Sequence, residues 1–531
     1  MPEYLAPGVY VEEVSSGIKP IEGVSTSTTG MVGQTERGPI APRLCTSWPD
    51  YTRWFGSIVA PDVSYLPFAV KGFFDNGGQR VFIARAARED AIEALLELDN
   101  LRITAIGPGS WGNRIYVRIS DANQPGNIPR FRLTLLYFSQ TPPDPLVDPF
   151  STDPADIRSP NRRDPDAVED YDNLGIDQLG ANYVVSTINA ASQLVEVEWI
   201  DPNAPARPTN VAEFTPLANG AEGAAPILDA YRGDPDEPTD QRKGLEGLAV
   251  IDEVNILCIP DDVNTLLFPN GPDRATLVGD LVIQCELLKD RFAVMQIEGQ
   301  QGDPTTVKVP QDTKYGAVYY PWIRVYDPLT RDTRLVPPGG HMAGIIARTD
   351  IERGVHKAPA NAVVRGIINR DLNGNKKPVE YQITKGQHDI LNPKGINVIR
   401  DFRPDGRGIR LWGARTTSSD PEWKYVNVRR LFLFVEESID EGTQWVVFEP
   451  NHEPTWAAVV RNISAFLRSV WRSGALQGVT EEEAFFVKCD RTTMTQDDID
   501  NGRLICLIGI APVKPAEFVI FRISQKTIDA T

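Results

Sequence analysis

A multidomain chain of mixed α/β class is what this sequence predicts, on three observations. Two long blocks alternate strand-like with helix-like segments, a Pro/Asp-rich stretch interrupts them, and both ends of the chain read as extended apolar strands. At 531 residues the chain exceeds what a single core organises, so about three or four domains are expected.

The first segment, Tyr4 to Val14, places Val9, Val11 and Val14 at strand-like spacing. Residues 1–25 are therefore read as an N-terminal arm and linker. The Ser/Thr/Gly-rich run continuing through Gly23–Gly30 reads as a flexible tether. Residues 26–100 and 245–395 form a central α/β domain. Its expected strands are Arg80–Arg85, Val254–Ile259, Phe292–Ile297 and Gly316–Pro321, with helices over Arg88–Leu98 and Ala275–Arg291.

Between them, residues 101–244 read as an inserted, outward-facing domain. Its start, Leu101–Leu136, is strand-rich, but residues 141–170 hold seven prolines and seven aspartates. So many φ-locked and charged residues cannot build a core, which places this stretch at the surface. Residues 396–515 are expected to be a C-terminal domain, with strands at Arg429–Glu436 and Gln444–Phe448. Residues 516–531 form a C-terminal arm, in which Val519, Phe521 and Ile523 share one strand face.

The clearest helix runs from Thr455, as N-cap, to Arg472, with Gly474 placed to end it. Trp456, Val459, Ile463, Phe466, Leu467 and Val470 fall on one arc. Arg461, Arg468 and Arg472 fall on the opposite side, within about 40° of one another. This stripe stands out against an acidic whole, 72 acidic to 54 basic side chains for a net charge of -18. The acidic balance argues against general nucleic-acid binding, since phosphates would be repelled.

The motifs of catalysis are missing from the sequence. Four histidines, His341, His356, His388 and His452, sit in no metal-binding spacing, and neither a nucleophile elbow nor a phosphate-binding loop occurs. Five cysteines, an odd number without C-x-x-C pairing, fit a reducing compartment. No cofactor, metal or catalytic residue is assigned. Nowhere do 18 successive apolar residues occur, and the start lacks a basic region before an apolar one, so membrane insertion and a signal peptide are not expected.

Several segments share one resemblance. Pro7-Gly-Val-Tyr-Val-Glu-Glu13, Phe73-Phe-Asp-Asn-Gly-Gly78, Tyr319-Tyr-Pro-Trp322 and Val336-Pro-Pro-Gly-Gly340 resemble contractile phage tail sheath proteins. So do Arg348-Thr-Asp350 through Lys357-Ala-Pro-Ala-Asn361, Leu411-Trp-Gly-Ala-Arg-Thr416 and Tyr425-Val-Asn-Val-Arg-Arg430. Val447-Phe-Glu-Pro-Asn451 and Trp471-Arg-Ser-Gly-Ala-Leu476 follow in the same order. The likeness covers residues 1–100 and 245–531.

It implies a structural subunit, not an enzyme, that polymerises helically as stacked, sixfold rings around an inner tube. Contraction would then drive the tube through a target envelope, its energy stored in a metastable extended assembly. Partners would be other copies of the sheath, the tube protein, and baseplate and terminal cap proteins. The sheath would assemble in the cytoplasm as part of a phage tail or phage-tail-like particle, released on lysis. On this reading the terminal arms join subunits by adding strands to a neighbour's sheet, and the arginine stripe faces the tube. A non-contractile capsid or surface-layer lattice shares that logic. An α/β hydrolase-type enzyme using His388 or His452 as base leaves both terminal strands unexplained.

Overall fold

The computed structural model describes residues 20–123, 130–299, 302–368 and 377–523. Its contacts form two compact units: residues 26–351 with 359–426, and the described parts of 1–25, 352–358 and 427–531.

The larger unit is built on a nine-stranded sheet. In order across the sheet the strands are Ala362–Val363, Ile409–Trp412, Ile396–Asp401, Gly316–Tyr320, Phe292–Gln296, Ile256–Cys258, Thr29–Gly33, Val81–Arg85 and Arg43–Cys45. The six strands from 396–401 to 81–85 run parallel, and the edges are antiparallel. Parallel strands covered on both faces need continuous apolar runs, which is what Phe292–Gln296 and Gly316–Tyr320 supply; both are buried throughout. The mixed α/β class is thus observed.

The Ser/Thr-rich run at 23–30 is not a tether along its length. Thr28 and Thr29 are fully buried, and Thr29–Gly33 lies inside the sheet between 256–258 and 81–85. Parallel pairing on both sides outweighs a composition that reads as loop. The strands at 396–401 and 409–412 also belong to this sheet, so the larger unit extends to 426.

Close helix packing explains the glycine-rich segments. Leu66–Asp75 ends at Asn76, whose buried side chain donates to Gly72 O (2.8 Å) and accepts from Arg365 N (2.9 Å). Gly77 follows at φ 97°, a conformation that favours glycine. Gly340 and Gly344, in helix Gly339–Arg353, lie against the backbone of Ala69 and Phe73, where a Cβ would overlap.

A separate core sits within residues 94–217. A four-stranded sheet orders Thr215–Pro216, Ile115–Asp121, Phe131–Tyr137 and Ala167–Leu174, and a three-stranded one orders Leu95–Leu98, Leu101–Ala105 and Val195–Trp199. Ile115, Val117, Leu133, Leu135, Val197 and Trp111 interdigitate there. The expected helix at Arg88–Leu98 is instead a turn followed by strand 95–98, which pairs with 101–105 across Asp99 at φ 53°. Cross-strand pairing overrides the local helix preference of its Ala, Glu and Leu. The Pro/Asp-rich stretch is largely exposed and is tied down by Arg118, which pairs with Asp148 at 2.6 Å and stacks over Phe214.

The smaller unit centres on helices Val426–Thr443 and Glu453–Arg472 and on the hairpin Phe485–Lys488 with Leu507–Ile510. Leu431, Val435, Val459, Ile463, Phe466, Leu467 and Phe485 form its core. The expected strand at Arg429–Glu436 is helix: Leu431 and Val435, four residues apart, bury on the same face. The expected strand at Gln444–Phe448 is a 3-10 turn, Gln444–Val446, followed by an open loop. The long helix starts one turn early. His452 is its N-cap, and Thr455 lies inside the first turn with Oγ1 donating to Pro450 O at 2.7 Å.

Candidate functional site

The smaller unit tethers the chain at Ala511 and Val513. Gln477 N donates to Ala511 O (2.8 Å), Ala511 N to Ala484 O (2.9 Å) and Val513 N to Ala475 O (3.1 Å). Asn427 Nδ2 donates to Val513 O at 3.1 Å. Segment 510–516 is therefore held over its first half. Beyond it Phe518, Val519, Ile520, Phe521 and Ile523 are 68–95% exposed, and none lies in a strand. Five large apolar side chains in water within six residues are an exposed apolar patch of the kind that marks interaction surfaces. Val9, Val11 and Val14 lie outside the described residues.

The hairpin offers a second open feature. It has only two strands, so each keeps one free edge among the described residues, and Phe486 and Leu507 are more than half exposed. A free edge presents backbone N–H and C=O groups to which an extended segment can add.

Of the three arginines, Arg461 and Arg472 are exposed on the long helix. Arg468 is engaged: its Nε and Nη2 donate to Glu481 at 2.7 and 2.8 Å, a two-pronged pair. Hydrogen bonding from Arg468, with the Arg472 charge beside it, holds the Glu481 carboxyl below its ordinary value. The helix places the three cations on one side, but two of them remain open to a partner.

One surface feature escapes sequence reading. Phe448 is fully exposed at φ 69°, and its neighbour Val447 is 59% exposed. The loop beneath is rigidly held: Glu449 N donates to Val446 O (3.0 Å), Trp456 Nε1 to Asn451 Oδ1 (2.7 Å), and Asn451 Nδ2 to Arg503 O (3.1 Å). A bulky residue in the left-handed region is strained, and such strain concentrates at functional sites. Backbone dihedrals of this kind leave no trace in a single sequence.

The buried polar groups serve the fold. Asp261, just past strand 256–258, accepts from Ser64 Oγ, Tyr65 N (2.7 Å), Tyr231 Oη (2.7 Å) and Asn264 Nδ2 (2.9 Å), so its lone pairs are occupied although burial pushes the carboxyl up. His341 is enclosed in helix 339–353, and burial pushes its imidazole down to about 4. His452 Nδ1 lies 3.0 Å from Thr455 Oγ1. Burial raises the thiols of Cys45, Cys258, Cys285, Cys489 and Cys506, which makes them poor nucleophiles. Among the described residues no group of His, Cys, Asp and Glu could hold a metal ion, and no helix is long and apolar enough to cross a membrane.

Comparison with known proteins converges on one family. A model described as phage tail sheath protein central domain matches residues 229–417, and one described as phage tail sheath C-terminal domain matches 418–526. Together they span more than half of the chain. A putative prophage major tail sheath protein of Pseudomonas aeruginosa strain UCBPP-PA14 is 30% identical over 208 residues, 38% of this chain and 49% of the relative. The tail sheath protein of Enterobacteria phage T4 is 29% identical over 195 residues, 36% of this chain and 28% of the relative. The chain spans about half or less of the length of the curated relatives it matches. The contracted helical sheath of the anti-feeding prophage aligns over 98% of this chain and 100% of its own, at 25% identity and TM-score 0.57. A sheath tail protein from Listeria innocua shares the fold at 12% identity and TM-score 0.58, over 93% of this chain and 96% of its own.

Proposed function

Since the chain belongs to the phage tail sheath family, we propose that it is the repeating subunit of a contractile sleeve. Copies polymerise helically, as stacked sixfold rings, around an inner tube, and contraction drives that tube through a target envelope. Baseplate and cap proteins bound the sleeve, which assembles in the cytoplasm and leaves the cell on lysis. The work comes from a metastable extended lattice and not from catalysis. Each subunit need gain only about 1–3 kcal/mol, the burial of one large apolar side chain, for a long sleeve to release a large total.

The observation that carries this reading is the apolar segment Phe518–Ile523, exposed immediately beyond a firmly held Val513. Val519, Phe521 and Ile523 are the side chains that would seat on a neighbour, its free hairpin edges at 485–488 and 507–510 serving as acceptor. Val9, Val11 and Val14 are assigned the matching role at the other end. Such heterologous contacts do not close on themselves and so propagate as a helix. Arg461 and Arg472 are proposed as the tube contacts, with Arg468 held back by Glu481, and Phe448 as a further subunit contact.

Expressing the protein alone and imaging it by electron microscopy tests the proposal. Long hollow cylinders are expected. Sheets or closed shells would favour a non-contractile lattice, and dispersed monomers would defeat both.

A further inference from the structure

Two cysteines distant in sequence come face to face in the smaller unit. In the hairpin, Phe485 pairs with Ile510, Val487 with Ile508 and Lys488 with Leu507. Continuing that register by one residue sets Cys489 opposite Cys506. Side chains alternate along a strand, so Cys489 shares a face with Phe485 and Val487, and Cys506 shares the same face through Ile508 and Ile510. Packing agrees: Cys489, Trp456 and Met494 form a buried cluster, and Cys506 packs against it. Both thiols are free, and each perturbs the proton affinity of the other. Directly opposed residues have Cβ atoms about 4.5–5.5 Å apart, close to the roughly 3.5–4.5 Å that a disulfide spans.

We propose that Cys489 and Cys506 are a redox modification site, a cross-strand disulfide that closes when the protein meets a low-molecular-weight disulfide such as oxidised glutathione. The half-buried Cys506 reacts first: its thiolate attacks one glutathione sulfur, the glutathione S–S bond breaks, and one reduced glutathione leaves. The Cys489 thiolate then attacks the Cys506 sulfur and expels the second. Two protein thiols are oxidised, one glutathione disulfide is reduced, and the two protons end on the two released thiols. Burial pushes the Cys506 thiol up to about 12, so closure at neutral pH is slow and accelerates about tenfold per pH unit.

The bond would link the ends of both hairpin strands and close the loop that carries the short helix Gln496–Asp500. Its consequence for assembly rests on the sleeve reading: a particle that matures in a reducing cell and leaves it would rigidify its strand acceptor only outside.

Full-length protein, purified reduced, is incubated with oxidised glutathione at pH 8.5, unfolded, alkylated and weighed intact. Uptake of three alkyl groups instead of five is expected, with a peptide map joining Cys489 to Cys506. The Cys489→Ala variant should instead keep a stable glutathione adduct on Cys506. A persistent adduct on the wild-type chain, five reactive thiols after oxidation, or either cysteine joined elsewhere would overturn the site. The wild-type measurement needs no variant to fold. Equal polymer yield from reduced and oxidised protein would remove the assembly consequence while the mass shift stands, so failure of the site and failure of the sleeve reading are distinguishable.

Discussion

The nine-stranded sheet of the larger unit and the two-stranded hairpin of the smaller one solve the same problem in opposite ways. In the sheet, strands 29–33, 292–296 and 316–320 are buried at every position, and neighbours on both sides complete their hydrogen bonds. In the hairpin, each strand has one neighbour and leaves Phe486 and Leu507 in water. A chain that can bury its central strands so thoroughly does not leave Phe518–Ile523 exposed for lack of core. The contrast separates what holds the subunit together from what would hold subunits to each other.

The largest expected effect falls on the exposed side. Replacing Val519, Phe521 and Ile523 by Asp should raise the concentration needed for polymer by at least about 100-fold, roughly 3 kcal/mol. The melting temperature of the monomer should not move, because those side chains touch little of their own chain. Sedimentation and a thermal melt read both quantities. Normal cylinders from the triple variant would erase the distinction between the two regions. Removal of residues 1–14 is expected to act alike.

The opposite signature belongs to Gly340. A Cβ there would lie 2.2 Å from the Ala69 carbonyl oxygen, and backbone cannot give way as a side chain tip can. Gly340→Val should cost about 3 kcal/mol in urea unfolding. Any polymer lost would be lost through folding, in proportion to the unfolded fraction.

How far each region was legible in the sequence follows the same division. Buried parallel strands announce themselves as continuous apolar runs, so 81–85, 292–296 and 316–320 fall where expected. The helix 453–472 was legible because its apolar residues keep one face over five turns. Leu431-Phe-Leu-Phe-Val435 misleads because a run apolar at every position carries no period, and only tertiary packing makes it helix. Thr28–Thr29 misleads in the converse way, since polar residues sit buried where a core strand begins. At the candidate site the terminal apolar residues and the arginine stripe were visible as patterns. The engagement of Arg468 by Glu481, thirteen positions away, and the dihedral of Phe448 depend on the folded chain.

A charge test sharpens the exposed side. Arg461→Glu with Arg472→Glu should leave the fold and empty polymers intact but reduce tube-loaded particles about tenfold or more, with the wild-type contact weakening as salt rises. Equal loading would rule out this helix face as the tube contact. Phe448 gives a smaller effect with a telling sign. Phe448→Gly relieves a left-handed backbone and should stabilise the monomer by about 0.5–1 kcal/mol, while lowering polymer yield a few-fold. A residue that merely packs within its own chain would lose on both counts.

A pH test bears on the larger unit, at His341. Its imidazole is pushed down to about 4 by burial, against about 6.5 for the unfolded chain. Between those values the unfolded state binds the proton and the folded state does not, so folding is favoured as pH rises. The contribution is complete above about 6.5 and is lost as pH falls toward 4. From pH 7 to 5.5 the loss should be on the order of 1 kcal/mol. His341→Met, of similar volume and without a titrating group, should flatten that part of the pH profile in urea unfolding. An unchanged slope would mean that other groups carry the acid sensitivity and that His341 keeps an ordinary affinity for the proton.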